Sequence, residues 1–153
     1  LDAIGKDKIH LSEVKNQNFS YSLDELYELA NHCKNILLIN PDNPSGNLIL
    51  KRDLFVFLDY LKKDKKNLII DESFIDFSNK DGSNKMLTER IISKYKNLLV
   101  IKSIGKSYGV PGIRLGVVSS SNKEVFVHKV SSTPSDQSIG HTLPILLFTH
   151  STV

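Results

Sequence analysis

The chain has 153 residues, 40% of them hydrophobic and 24% charged, the composition of an ordinary globular domain able to bury a sizeable core. Its 20 basic and 17 acidic residues leave a net charge of +3, too balanced for a dedicated nucleic-acid binder, and no apolar run approaches the roughly 20 residues a membrane helix needs. Residues 1–15 are polar with no apolar signal-peptide core, and a single cysteine, Cys33, excludes an internal disulfide and points to a reducing, cytoplasmic setting.

In chain order, Ser22-Leu-Asp-Glu25 has the form of a capping box and predicts a helix through about Cys33. Ile36–Ile39 is a short apolar run ending at Asn40. Residues 52–62 place Leu54, Phe55, Leu58 and Leu61 at helical spacing. Asn67–Ile70 is a second apolar run, ending at Asp71. Residues 87–95 place Leu87, Ile91, Ile92 and Tyr95 at helical spacing, and Leu98–Ile101 is a third apolar run, ending near Ser103. Each run is apolar at both alternating positions, which predicts strands buried from both sides. The order α-β-α-β-α-β predicts an α/β fold, with a mostly parallel sheet, right-handed crossovers and flanking helices.

Beyond Ser103 the pattern changes. Gly105, Gly109, Pro111, Gly112 and Gly116 crowd a short span that reads as a loop. Ile113–Ser119 then reads as a strand and Asn122–Val130 as a helix. From Ser131 to Val153 the only charged side chain is Asp136, and nine of these 23 residues are Ser or Thr. All 20 Lys and Arg precede residue 131. The composition marks a boundary and separates residues 1–130 from an atypical tail at 131–153. Two readings of the tail stay open. One is a polar linker followed by a buried strand at Leu143–Phe148; the other is a segment foreign to the preceding domain, for example through an altered reading frame. A first residue of Leu1 rather than Met agrees with a piece of something longer.

In an open parallel sheet, ligands bind outside the carboxyl ends of the strands. The unusual residues of this chain fall there. The first run is followed by Asn40-Pro-Asp-Asn-Pro-Ser-Gly46, and the second by Asp71-Glu-Ser-Phe-Ile-Asp-Phe77. The third is followed by Ser103-Ile-Gly-Lys106 and then Ser-Tyr-Gly-Val-Pro-Gly-Ile-Arg114. Singly, each has a plain structural reading: turn residues, a helix cap, a solvated loop lysine. Glu72 reads as structural. Tyr108 reads as a loop-packing residue more readily than as part of a site. The Lys62-Lys-Asp-Lys-Lys66 cluster reads as a solvated helix end. The five histidines show no metal-ligand spacing and Cys33 has no partner, so no metal site is expected.

Together, the three clusters resemble those of the fold-type I pyridoxal-phosphate enzymes of the aminotransferase class I/II family. The marks are the Asn-Pro-x-Asn-Pro-Ser-Gly turn, the strand-end Asp, and Ser-x-x-Lys followed eight residues later by Arg. Asn43 to Asp71 is 28 residues and Asp71 to Lys106 is 35, similar to the family's separations. The likeness covers about residues 20–125. It implies that residues 1–130 are the central segment of the large, cofactor-binding domain of a pyridoxal-phosphate-dependent aminotransferase acting on an amino acid or amino-acid phosphate. By the same resemblance Lys106 forms the Schiff base and Asp71 holds the ring-nitrogen proton. Asn43 donates to the ring oxygen, and Ser103 and Arg114 bind the phosphate. Gly105 and Gly112 allow close approach of the backbone.

Phe74 departs from the family pattern, in which many members carry a Tyr whose hydroxyl also reaches the ring oxygen. The string Asp71–Phe77 is similar to the branch holding histidinol-phosphate aminotransferases and threonine-phosphate decarboxylases, so decarboxylation is the alternative activity. The family's glycine-containing helix N-terminus and stacking aromatic have no counterpart in residues 1–20, and Arg114 is the last arginine, so a downstream substrate-carboxylate arginine is absent. The resemblance further implies amino-acid and keto-acid partners, and a homodimer in the full-length enzyme that completes each site. The 153-residue chain by itself is expected to be inactive. Two readings from other classes remain: a non-catalytic domain that keeps the fold, and an unrelated phosphate-binding α/β domain with Arg114 and Ser103 as its anion site.

Overall fold

The computed structural model describes residues 9–11, 14, 20–78, 82–109, 115–123 and 145–147, the last three in backbone only. Helix α1 spans Leu23–Asn31, and its start is the expected capping box. Ser22 Oγ accepts the Glu25 N–H at 3.2 Å, and Glu25 Oε2 accepts the Ser22 N–H at 2.6 Å. Two of the helix's orphan donors are thereby satisfied. Strand β1 (Asn35–Ile39), helix α2 (Lys51–Lys63), strand β2 (Asn67–Asp71), helix α3 (Glu89–Lys94) and strand β3 (Leu98–Ser103) follow in the predicted alternation. A short 3-10 turn covers Ile75–Phe77.

On α2 the fully buried residues are Leu54, Phe57, Leu58 and Leu61. Phe55, expected in the core, is only half-buried at its edge, and Phe57 takes the inward position one turn below Leu61. Tyr27, Phe57 and Tyr60 pack edge-to-face or stacked at 4.6–6.4 Å and join α1 to α2.

The sheet order is β1-β2-β3-β4-β5. The first three strands are parallel, with Ile39 opposite Asp71 and Asp71 opposite Ile101. Strand β4 (Gly116–Ser119) runs antiparallel to β3, with Ser103 opposite Gly116. β5 (Ile145–Leu147) is parallel to β4 and falls inside the apolar 143–148 segment. The sheet is therefore mostly parallel, as expected, with one antiparallel step. The span 103–116, read as a loop, contains a single helical turn, α4 (Ile104–Ser107). The Ile104 N–H donates to Leu115 O at 2.8 Å and closes the excursion back onto the sheet. Residues 124–130 of the helix expected at 122–130, and most of the tail at 131–153, lie outside the described residues.

Burial on both faces, expected from the sequence, fails on β1, whereas β2 and β3 are fully buried on one face and half-buried on the other. Ile36, Leu38, Leu68, Ile70, Leu98 and Val100 share one face and are buried with α1, α2 and α3. The opposite face of β1 carries Leu37 at 64% exposure and Ile39 at 38%. The core therefore lies on one side. Asp71 and Ser103, by the two-residue alternation of a strand, belong to the other side. Among the described residues no helix is long and apolar enough to cross a membrane.

Candidate functional site

The site is assembled at the carboxyl edge of β1–β3. The β1 exit loop is held at its base by Asn40, which is fully buried. Its Oδ1 accepts the Ile49 N–H at 2.8 Å, and its Nδ2 donates to Ile49 O at 3.1 Å. One amide thus satisfies both backbone groups of a residue nine positions away and pins the loop ends together. Within the loop, Gly46 N–H donates to Asp42 O and Asp42 N–H to Asn47 O, both at 2.8 Å. Ser45 Oγ donates to Asp42 Oδ2 at 2.6 Å. Gly46 has φ +73°, a left-handed conformation that favours glycine. The result is a rigid turn presenting Asn43, which is exposed, on the rim of a cleft of about 270 Å³ walled by Pro41, Pro44, Phe74 and Phe77.

Tyr21 closes the other side of the β1 exit. Its hydroxyl donates to Ile39 O at 3.3 Å, and burial, reinforced by the nearby Asp42 carboxylate, pushes its pKa up to about 12. A neutral phenol is the form that donates.

The polar residues from Asp71 to Asp76 are tied to different neighbours. Asp71 Oδ1 accepts from the Ser73 N–H at 2.8 Å and from Ser73 Oγ at 2.5 Å. No donor among the described residues reaches its Oδ2. Ser73 Oγ in turn accepts the Ser103 N–H at 2.9 Å. Glu72, fully buried, points to the core side. Its two carboxylate oxygens accept the Met86 and Leu87 N–H groups, at 2.5 and 3.0 Å. Burial raises the Glu72 pKa, with those two N–H bonds opposing. The structural reading of Glu72 agrees with this geometry. Asp76 accepts from Lys85 and Lys102, both at 2.6 Å. Burial works against the ionised form of Asp76, but the two lysine hydrogen bonds outweigh it and hold the carboxyl far below its usual range.

Lys106 stands on α4, exposed, with Nζ 4.3 Å from the centroid of the Phe74 ring. That is cation–π distance. Phe74 is also a wall of the Asn43 cleft, so one aromatic ring joins the lysine and asparagine loops. Ser103 is half-buried and sits at the N-cap of α4 without using its hydroxyl as a cap. Gly105 is buried in α4. Tyr108 is 73% exposed, not packed as the sequence suggested. Arg114 and Gly112 lie outside the described residues.

Of the five residues singled out from the sequence, four therefore come to one sheet edge, with Asp71 and Ser103 joined through Ser73, and Lys106 and Asn43 through Phe74. The roles of Asn40, Ser73 and the Asp76–Lys102 pair were not read from the sequence, which named Asn40 only as part of its turn. Asn40 is the first asparagine of its turn, three residues before Asn43, and that position is the one signal that could have marked it. Nothing in one sequence marks the bond of Ser73 to Ser103, which lies 30 residues away.

A family model described as aminotransferase class I and II matches residues 6–133. The histidinol-phosphate aminotransferase of Francisella philomiragia is 34% identical over 128 residues, covering 82% of this chain and 34% of that protein. An L-serine phosphate decarboxylase of Campylobacter jejuni is 37% identical over 118 residues, covering 72% of this chain and 29% of its own. Among solved structures, the histidinol-phosphate aminotransferase of Clostridium acetobutylicum superposes with a TM-score of 0.61 at 29% identity, covering 72% of this chain and 32% of that one. The chain spans about a third of the length of the curated relatives it matches.

Proposed function

The chain belongs to the aminotransferase class I and II family, and on that premise we propose that it is the central part of the large domain of a pyridoxal-phosphate-dependent aminotransferase. Its substrate is an amino acid or amino-acid phosphate. The observation that carries this is the placement of Lys106 Nζ against Phe74, the ring that walls the Asn43 cleft. The donor chemistry fits the cofactor: an exposed primary amine just beyond a strand end, a carboxylate oxygen with no donor among the described residues, and an amide on an aromatic-walled rim.

When bound, pyridoxal phosphate supplies an electrophilic carbonyl and a ring that accepts the electron pair left by bond cleavage at a substrate carbon. Lys106 Nζ is the amine that holds that carbonyl and can carry a proton to or from the substrate carbon. Asp71 Oδ2 holds a proton at the ring nitrogen, the charge arrangement that keeps the ring an effective acceptor. Asn43 Nδ2 donates to the ring oxygen, with no hydroxyl available from Phe74. Ser103, and Arg114 by the family resemblance, bind the phosphate. The active assembly is a cytoplasmic homodimer, in which the partner subunit and the remainder of the full-length protein complete the site.

Two observations favour a second reading, decarboxylation of an amino-acid phosphate. Phe74 leaves the ring oxygen a single side-chain donor, and the relative at 37% identity is named a decarboxylase. In both readings, borohydride reduction of the full-length protein with pyridoxal phosphate should fix the label on Lys106. The Lys106→Ala variant should lose it, and label scattered over many lysines would sink the assignment. Keto-acid formation against carbon dioxide release then separates the two activities.

A further inference from the structure

We propose that Ser73 is a positioning residue that sets the rotation of the Asp71 carboxylate and locks it to the lysine-bearing corner of the site. The proposal rests on the reading that Asp71 faces the cofactor ring. Ser73 is buried, only 3% exposed. It donates to Asp71 Oδ1 at 2.5 Å and accepts the Ser103 N–H at 2.9 Å. A serine hydroxyl has one proton, and here it is committed to the carboxylate because the Ser103 amide occupies the hydroxyl as a donor. The polarity of the chain Ser103 N–H to Ser73 O–H to Asp71 is therefore fixed.

Two consequences follow. Among the described residues both donors on Asp71 come from Ser73, and both land on Oδ1. This stops the carboxylate from rotating and leaves Oδ2 as the oxygen that can receive a ring N–H. The same hydroxyl also fixes the end of β3, where α4 begins with Lys106 three residues beyond Ser103. A change at Ser73 thus alters the spacing between the acid and the amine with both of those residues still in place. A backbone turn alone would not do this: the Ser73 N–H bond to Asp71 survives any substitution except proline, but the link to Ser103 does not.

The test uses the full-length protein. Ser73→Ala removes both hydroxyl bonds, Ser73→Thr keeps the hydroxyl, and Asp71→Asn is the control. Pyridoxal phosphate affinity, the visible circular dichroism of the bound cofactor and the melting temperature of the cofactor-free protein are measured for each. Ser73→Ala should weaken cofactor binding by about tenfold, the scale of one hydrogen bond to a charged group, and change the visible dichroism, which reports how the ring is seated. Ser73→Thr should restore both. Should Ser73→Ala fail to fold, Ser73→Cys, a near-isostere with a weak donor, should show the same dichroism change. A lowered melting temperature with unchanged affinity and dichroism would make Ser73 merely structural and overturn the proposal. If Asp71→Asn also leaves affinity and dichroism unchanged, the cofactor reading of Asp71 itself fails; if only Ser73→Ala is silent, the failure belongs to Ser73 alone.

Discussion

Lys106 Nζ lies 4.3 Å from the centre of the Phe74 ring. The contact spans two strand exits, since Phe74 follows β2 and Lys106 follows β3. The ring face attracts the ammonium by about 0.5–1 kcal/mol at an exposed site such as this. It also puts an apolar surface, without a hydroxyl, on the wall of the Asn43 cleft.

Phe74→Tyr should therefore tighten pyridoxal phosphate binding by the full-length protein. The added hydroxyl is a second donor beside Asn43, and a gain of about three- to tenfold is expected for one hydrogen bond. Fluorescence titration with the cofactor reads it directly. Unchanged affinity would mean that Phe74 does not face the ring oxygen.

Asn40→Ala should cost about 2–3 kcal/mol of stability, because it leaves the Ile49 N–H and carbonyl buried without their partners. Asn40→Asp keeps the acceptor for the N–H but faces a carboxylate toward the Ile49 carbonyl, so it should not rescue the loss. Urea unfolding of the full-length protein measures both. A cost below about 0.5 kcal/mol for Asn40→Ala would show that the loop is held by other means.

Glu72→Ala should cost about 2–4 kcal/mol, since two N–H groups, of Met86 and Leu87, lose one buried carboxylate. Its pH signature is distinctive. The folded pKa is raised above the ordinary value of 4.5, so the folded state binds the proton more tightly than the unfolded one. Stability from this group is full below pH 4.5 and declines as pH rises through the folded pKa. The variant should show a flatter profile above that value. A decline as steep as that of the parent would assign it to another group.

Asp76 has the opposite sign. Its folded pKa is depressed from 3.8 by the Lys102 and Lys85 bonds, so its contribution is present above that value and is lost as pH falls below it. Asp76→Asn should lower stability at neutral pH and shrink the further loss between about pH 4 and pH 2. Melting temperatures across that range decide it; parallel curves for parent and variant would show that the two lysine contacts carry no stabilisation.

The sequence by itself determined the alternation of elements and the contents of the site edge. Apolar runs of four residues, helical spacing and the Ser22–Glu25 box are local signals, and each reports the backbone that its own residues prefer. The strand-end clusters were legible for the same reason: a parallel sheet sends every exit loop to one edge. What the sequence left open depends on neighbours far along the chain. Leu37 and Ile39 are as apolar as Ile36 and Leu38, so composition could not distinguish the face covered by α1–α3 from the exposed one. The antiparallel step at β4 depends on how the chain returns from α4, closed by the Ile104–Leu115 bond. Phe57 displaced Phe55 because the direction of α2 over the sheet, not its spacing alone, chooses the inward stripe. Only the tertiary structure decided that Asp71 and Ser103 share the face opposite the core and that one serine hydroxyl joins them, because a hydrogen bond between residues 30 apart leaves no periodic trace in the chain.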